Sequence, residues 1–237
     1  MNVPGSGSRL RAVLVAALAA FVLLAATAAG AQAKIVKLIG QTSVTPSSQA
    51  AQFLANNGVS TSTVGPATFS NGSFTFPLAV GFGNTANFTG VLVHKGGLKF
   101  TKGRRSVVVR RFVAVRTLHS AVLLAQVPGL PGGCGHVADA LRRFVATHPG
   151  VRGFARRHPV AAQRVIDAVR DYCSNGRVIV LARLTNLGKQ VAGNSATLTA
   201  DLRLSREAAK LVNRALGTHV QAGVLLGSAT STVSIAS

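Results

Sequence analysis

The residues able to do chemistry are few and badly spaced for catalysis. The 237 residues hold five carboxylates, Asp139, Asp167, Asp171, Asp201 and Glu207, and none precedes Asp139. Paired-carboxylate acid/base work, carboxylate-supported triads and oxygen-rich metal cages all need acids that the N-terminal half lacks. There is no Gly-x-Ser-x-Gly elbow, and Gly81-Phe82-Gly83 lacks the third glycine and the following helix of a phosphate cradle. The chain therefore reads as a binding protein and not an enzyme. The remaining donors are six histidines, at 94, 119, 136, 148, 158 and 219, with Tyr172, Cys134 and Cys173. His136 beside the two cysteines makes three soft ligands without a metal-binding spacing, so no metal site is assigned.

Export explains the cysteines best. Arg9 and Arg11 precede an apolar run from Ala12 to Ala29 and an Ala31-Gln32-Ala33 step, the layout of a secretory signal over residues 1–33 cleaved after Ala33. The competing reading is an uncleaved membrane anchor. In an oxidising compartment the lone pair Cys134 and Cys173 is expected to be a disulfide. It would close a loop of about 40 residues, worth roughly 3–4 kcal/mol in the chain-entropy account.

Loss of Arg9 and Arg11 with the signal lowers the formal net charge of +21 by two. On an exported chain that charge points to anionic lipid headgroups or wall polymers, and to peripheral membrane contact. Nucleic acid is not expected, because there is no Trp and one Tyr to stack bases. The basic residues concentrate between Lys99 and Arg116, where an extended strand would put Arg104, Arg110 and Arg116 on one face and Arg105 and Arg111 on the other. Such a ladder suits bidentate binding of polyanions, and equally protects an exposed sheet edge.

Around these groups the chain alternates. Leu198, Ala200, Leu202 and Leu204 share one strand face, as do Val220, Ala222, Val224 and Leu226, and Val107, Val109, Val113 and Val115. The expected fold is mainly β, an antiparallel β-sandwich with short helices, formed by residues 34–127 and 177–237 as one domain. Residues 128–176 interrupt it between Pro/Gly and Asn-Gly breakers. Val137, Leu141, Phe144 and Val145, then Ala162, Val165, Ile166, Val169 and Cys173, recur at helical spacing and predict a disulfide-clasped helical hairpin. An internal echo also stands out: Ser47 before Ala50, Ala51, Phe53 and Leu54 matches Ser205 before Ala208, Ala209, Leu211 and Val212, each leading to a glycine, Gly58 or Gly217. In both copies serine is placed to cap a short helix.

The run from Thr89 to Leu98, with the turn His94-Lys95-Gly96-Gly97-Leu98 ahead of the 105–116 strand, resembles the His-x-Gly-x-Leu turn of the Htaa domain, a haem-transport-associated module of actinobacterial secreted and envelope proteins. The C-terminal run from Leu204 to Thr230 is similar in style to the end of that domain. The likeness spans residues 35–127 and 177–235. It implies a β-rich fold and a haem site near His94, Gly96 and Leu98, in company with haem-uptake proteins or other cell-envelope components. The insert's Phe144 to Val151 stretch is similar to small haemophore-like proteins. The family ligates haem through a tyrosine near the domain start, and this chain has none before Tyr172. A histidine would have to take over, or the iron would go without a protein axial bond.

Two readings of function follow: an exported haem-binding protein of the envelope, and a cationic envelope protein holding anionic wall polymer or lipid without a cofactor. Both require export. The mature protein should begin at Lys34 and show no titratable thiol when denatured. N-terminal sequencing and a thiol assay check this; a chain that starts at Met1, or two reactive thiols, would contradict it.

Overall fold

The computed structural model describes residues 35–84, 89–116, 120–130 and 176–235. The signal segment, both cysteines with their expected disulfide, the helical insert beyond Leu130, His119, His136, His148, His158 and Tyr172 lie outside the described residues.

Among the described residues eleven strands form one antiparallel sheet: β1 (Ile35–Pro46), β2 (Ser60–Val64), β3 (Thr68–Ser70), β4 (Ser73–Asn84), β5 (Gly90–His94), β6 (Gly97–Lys102), β7 (Arg105–Arg116), β8 (Ala121–Val127), β9 (Arg177–Ala192), β10 (Ser195–Leu204) and β11 (Leu225–Ile235). Two helices are described, α1 (Ser48–Asn56) and α2 (Arg206–Leu216). The order β7-β5-β4-β1-β11-β10-β9-β8 returns to β7, because β7 also pairs β8, and the result is a closed eight-stranded barrel. The expected sandwich is thus corrected. Alternation is common to both architectures, and only the β7–β8 pairing, invisible in a single strand's pattern, closes the ring of eight, with β2 and β3 left as edge strands.

The long hairpin from Gly90 to Arg116 organises the wall. β5 and β6 are one strand broken at Lys95-Gly96, running antiparallel to β7 throughout, with Gly90 opposite Arg116 and Lys102 opposite Arg105. At the break the strand changes its other neighbour, from β4 beside β5 to β2 beside β6. Lys95 N–H donates to the Pro77 carbonyl at 2.9 Å, and Arg111 N–H to the Gly96 carbonyl at 2.9 Å. Opposite the break β7 has its own irregularity, with Arg111 at φ 51 and the β8 register skipping from Arg110 to Val113. One extra residue reverses the parity of every side chain beyond it. Val107 and Val109, opposite Phe100 and Leu98, face the interior; beyond the irregularity Phe112 and Ala114 join the cavity wall and Val113 drops out of it, while Val115 stays buried against it, so the expected alternation fails at Val113.

The helices stopper one end. Each is capped by the serine the sequence echo marks, and each serine does two things. Ser47 Oγ accepts from Ala50 N–H at 3.0 Å and donates to the Leu225 carbonyl at 2.6 Å. Ser205 Oγ accepts from Ala208 N–H at 3.0 Å and donates to the Val180 carbonyl. Glu207 in the first turn of α2 accepts from Val180 N–H at 3.2 Å and pairs with Arg177 at 3.0 Å, which ties the helix to the start of β9. After α2 the second alternating run fails as a strand. Thr218–Val224 is a loop, because the Asn213 side chain takes both Val220 N–H (2.7 Å) and the Val220 carbonyl (2.9 Å) out of any ladder. The strand starts at Leu225 instead.

Gly96 sits at φ +84, and a Cβ there would lie 2.8 Å from Ala67 N and 2.9 Å from the Val64 carbonyl oxygen. Gly103, in the hairpin tip at φ +57, has nothing within 4 Å of that position. Both pay for left-handed backbone, of order 1–2 kcal/mol. Gly96→Ala should therefore lower stability by several kcal/mol and Gly103→Ala by about 1 kcal/mol. Urea midpoints of the two variants check the ranking, and equal losses would show that the break is not sterically fixed.

Candidate functional site

The barrel encloses a cavity of about 850 Å³ whose wall is overwhelmingly apolar. From α1 and α2 at the stoppered end, where Phe53, Leu211 and Leu216 reach in, it runs toward the opposite mouth at Val36, Gly83 and Ile235. At mid-height it carries one polar chain. His94 Nε2 lies 2.8 Å from Thr42 Oγ1, Thr42 Oγ1 lies 2.7 Å from Ser231 Oγ, and His94 Nδ1 lies 3.2 Å from the Phe112 carbonyl oxygen. All three side chains are buried.

The proton positions follow from the partners. A carbonyl only accepts, so Nδ1 carries the hydrogen and donates to Phe112. In a neutral ring Nε2 then accepts, the Thr42 hydroxyl donates to it, and the Ser231 hydroxyl donates to Thr42. Burial pushes His94 from 6.5 down to about 4, partly opposed by the bond to the Phe112 carbonyl. At neutral pH the imidazole is uncharged, with a free-base nitrogen aimed at the lumen's polar chain.

The fold builds this arrangement from irregularities. Phe112 falls in the stretch that the β7 ladders skip, between Arg110 and Val113, so its carbonyl is open to the imidazole. His94 is the last residue of β5 and reaches over β4 to Thr42. Thr42 and Ser231 are direct cross-strand partners on β1 and β11. Sequence reasoning found His94 and missed the two hydroxyls. Their signal was a polar residue on an inward apolar stripe: Thr42 among Val36, Leu38 and Val44, and Ser231 between Ala229 and Val233.

Of the other expected ligand-binding residues, Leu98 lines the cavity, while Gly96 shapes the break behind His94 and makes no lumen surface of its own. The expected arginine ladder is not one face. Arg104 is exposed in the hairpin tip outside β7, and Arg110 turns to Gln126, its Nε donating to Oε1 at 3.2 Å. Arg116 lies beyond the Arg111 irregularity and lines the cavity at its mouth. The bulge that takes Val113 off the cavity wall separates the guanidiniums as well. His219 is exposed on the loop after α2, away from the cavity. Among the described residues no three His, Cys, Asp or Glu side chains cluster as a metal site.

No protein-family model and no curated protein sequence matches this chain. Solved structures do. The C-terminal domain of HtaA from Corynebacterium glutamicum superposes with a TM-score of 0.53 at 16% identity, over 84% of this chain and 99% of that one. The N-terminal domain of HtaA from the same organism gives 0.48 at 15% identity, over 84% and 99%. The haem-binding protein HtaB, also from Corynebacterium glutamicum, gives 0.47 at 10% identity, over 85% and 96%. The barrel with its two capping helices is thus similar in fold to the C-terminal HtaA domain.

His94 sets a pH dependence of stability. Its folded pKa lies below the unfolded value, so between about 6.5 and 4 the unfolded chain binds the proton and the native one does not. Stability should fall as pH drops through that window, by roughly 3 kcal/mol at most from this group. Denaturant titrations at pH 7 and pH 4.5 should show a smaller loss for His94→Gln than for the wild type. Equal losses would mean that the ring is not buried neutral.

Proposed function

We propose that the barrel is a non-enzymatic carrier that takes haem, as cargo, into its lumen beside His94, in an exported protein of the cell envelope. The observation that carries this reading is the apolar cavity with a buried, neutral imidazole at mid-height. Its volume of about 850 Å³ lies within the ~300–1,000 Å³ range of small-molecule and cofactor sites. The wall offers the apolar contact that a macrocycle needs. The resemblance of the His94 turn to haem-transport-associated domains supports the same reading, and the barrel fold shared with the C-terminal HtaA domain is the β-rich fold that this resemblance implies.

The donor fits as well. A metal-binding imidazole is usually oriented by a hydrogen bond from its other nitrogen, and here Nδ1–H is held by the Phe112 carbonyl. The low pKa keeps protons from competing for Nε2 near neutral pH. For Nε2 to take iron, Thr42 must turn away from it, and its hydroxyl keeps Ser231 as a partner. His94 so occupies the role that tyrosine fills in the family the turn resembles. Leu98, on the continuation of the imidazole's strand, and Phe112, on β7, supply apolar contact in the same cavity.

Titration of the mature protein with ferric haem should give a saturable Soret shift at about one haem per chain. His94→Ala should abolish the shift, and added imidazole should restore it by entering the vacated space. Far-UV circular dichroism confirms that the variant is folded. A wild type that leaves the haem spectrum unchanged refutes the reading, and a His94→Ala protein that binds as the wild type does moves the ligand elsewhere.

A further inference from the structure

Near the mouth, Val36, Gly83, Gly90, Arg116 and Ala121 stand in one register row across five neighbouring strands. Arg116 is the one side chain of this row that carries a charge. It is also the one Lys, Arg, Asp or Glu among all the described residues lining the cavity. Its direct neighbours in the row are Gly90 on β5 and Ala121 on β8, with Gly83 beyond Gly90. Small residues on both sides leave the guanidinium room at the mouth that a leucine or valine would fill. A sheet that only needed a solvated arginine would place it on the outer face, as it does Arg183 on β9 and Arg203 on β10, both exposed and neither lining the cavity. The parity reversal at Arg111 instead turns Arg116 toward the lumen.

We infer that Arg116 is a carboxylate-binding subsite at the barrel mouth, so that the lumen takes amphiphiles that enter apolar end first and leave a carboxylate on the guanidinium. The inference rests on the lumen reading above and adds the ligand's polar end and its orientation. A guanidinium offers a planar fork that matches a carboxylate through two parallel N–H···O bonds, and at a half-buried rim beside apolar walls that pairing is little weakened by water. His94 lies four residues deeper along β5 than Gly90, roughly 13 Å at about 3.3 Å per residue of strand. The apolar body of the ligand fills that interval. A macrocycle bearing propionates and an unbranched fatty acid share this chemistry, an apolar mass with a carboxylate at one edge.

The test compares each acid with its neutral ester in the full chain: ferric haem against its dimethyl ester by absorption, and cis-parinaric acid against its methyl ester by fluorescence. The acid of at least one pair should bind roughly 10- to 100-fold tighter than its ester, as charge-assisted hydrogen bonds imply. Arg116→Gln should bring that acid down to the ester's affinity, and Arg116→Lys should recover part of the difference. The pair that shows the preference identifies the source of the carboxylate. Acid and ester binding equally well to the wild type overturns the subsite while leaving the lumen reading intact. A preference that survives Arg116→Gln also overturns it, by placing the carboxylate elsewhere. Failure of all four probes to bind the wild type sinks the lumen reading itself.

Discussion

The bond from His94 Nδ1 to the Phe112 carbonyl holds together the place where the barrel wall changes partners. The strand from Gly90 to Lys102 leaves β4 for β2 at Lys95-Gly96, and β7 answers with an extra residue at Arg111. That answer frees one main-chain carbonyl from the ladder. A buried carbonyl without a partner costs about 1–3 kcal/mol. The imidazole supplies the missing donor, and in doing so fixes its own tautomer. The chemical character of Nε2, a neutral acceptor facing the lumen, is therefore a consequence of how a fold irregularity is satisfied.

The same irregularity sorts the charges. Before Arg111 the even-numbered residues of β7 look outward, and after it they look inward. Arg110 stays off the cavity wall, bonded to the buried Gln126, and Arg116 reaches the mouth of the cavity. Among the described residues the lumen is polarised along its axis as a result: helices α1 and α2 at the closed end, a neutral hydroxyl–imidazole chain in the middle, and the Arg116 guanidinium at the open end. Apolar walls with a few fixed polar groups are what a ligand site needs for both affinity and orientation.

The two serine-capped helices show how a local rule survives into the tertiary structure. Ser47 and Ser205 each accept from the N–H three residues on and donate to a carbonyl on a neighbouring strand, Leu225 for one and Val180 for the other. Capping needs only a hydroxyl at the right offset, which the sequence displays. The helices differ in depth. Ala208, Ala209 and Leu216 of α2 are buried, whereas no residue of α1 is. Burial depends on what each helix meets, and its own residues do not state it.

What the chain determined by itself was what depends on neighbours close in sequence: mainly β character from two-residue alternation, the Ser47 and Ser205 caps, the turn at His94 to Leu98, and the scarcity of carboxylates. What only the tertiary structure decided was everything that depends on registration between distant strands. Barrel closure came from the pairing of β7 with β8, and the lumen from that closure. Val107 and Val109 did face inward, but the reversal after Arg111 depends on a single φ of 51 that no composition or spacing announces. Thr42, His94 and Ser231 lie 52 and 189 residues apart along the chain from Thr42 to each of the other two. A side-chain period of two says which residues share a face of one strand. It carries no information about which strands a closed sheet will bring side by side.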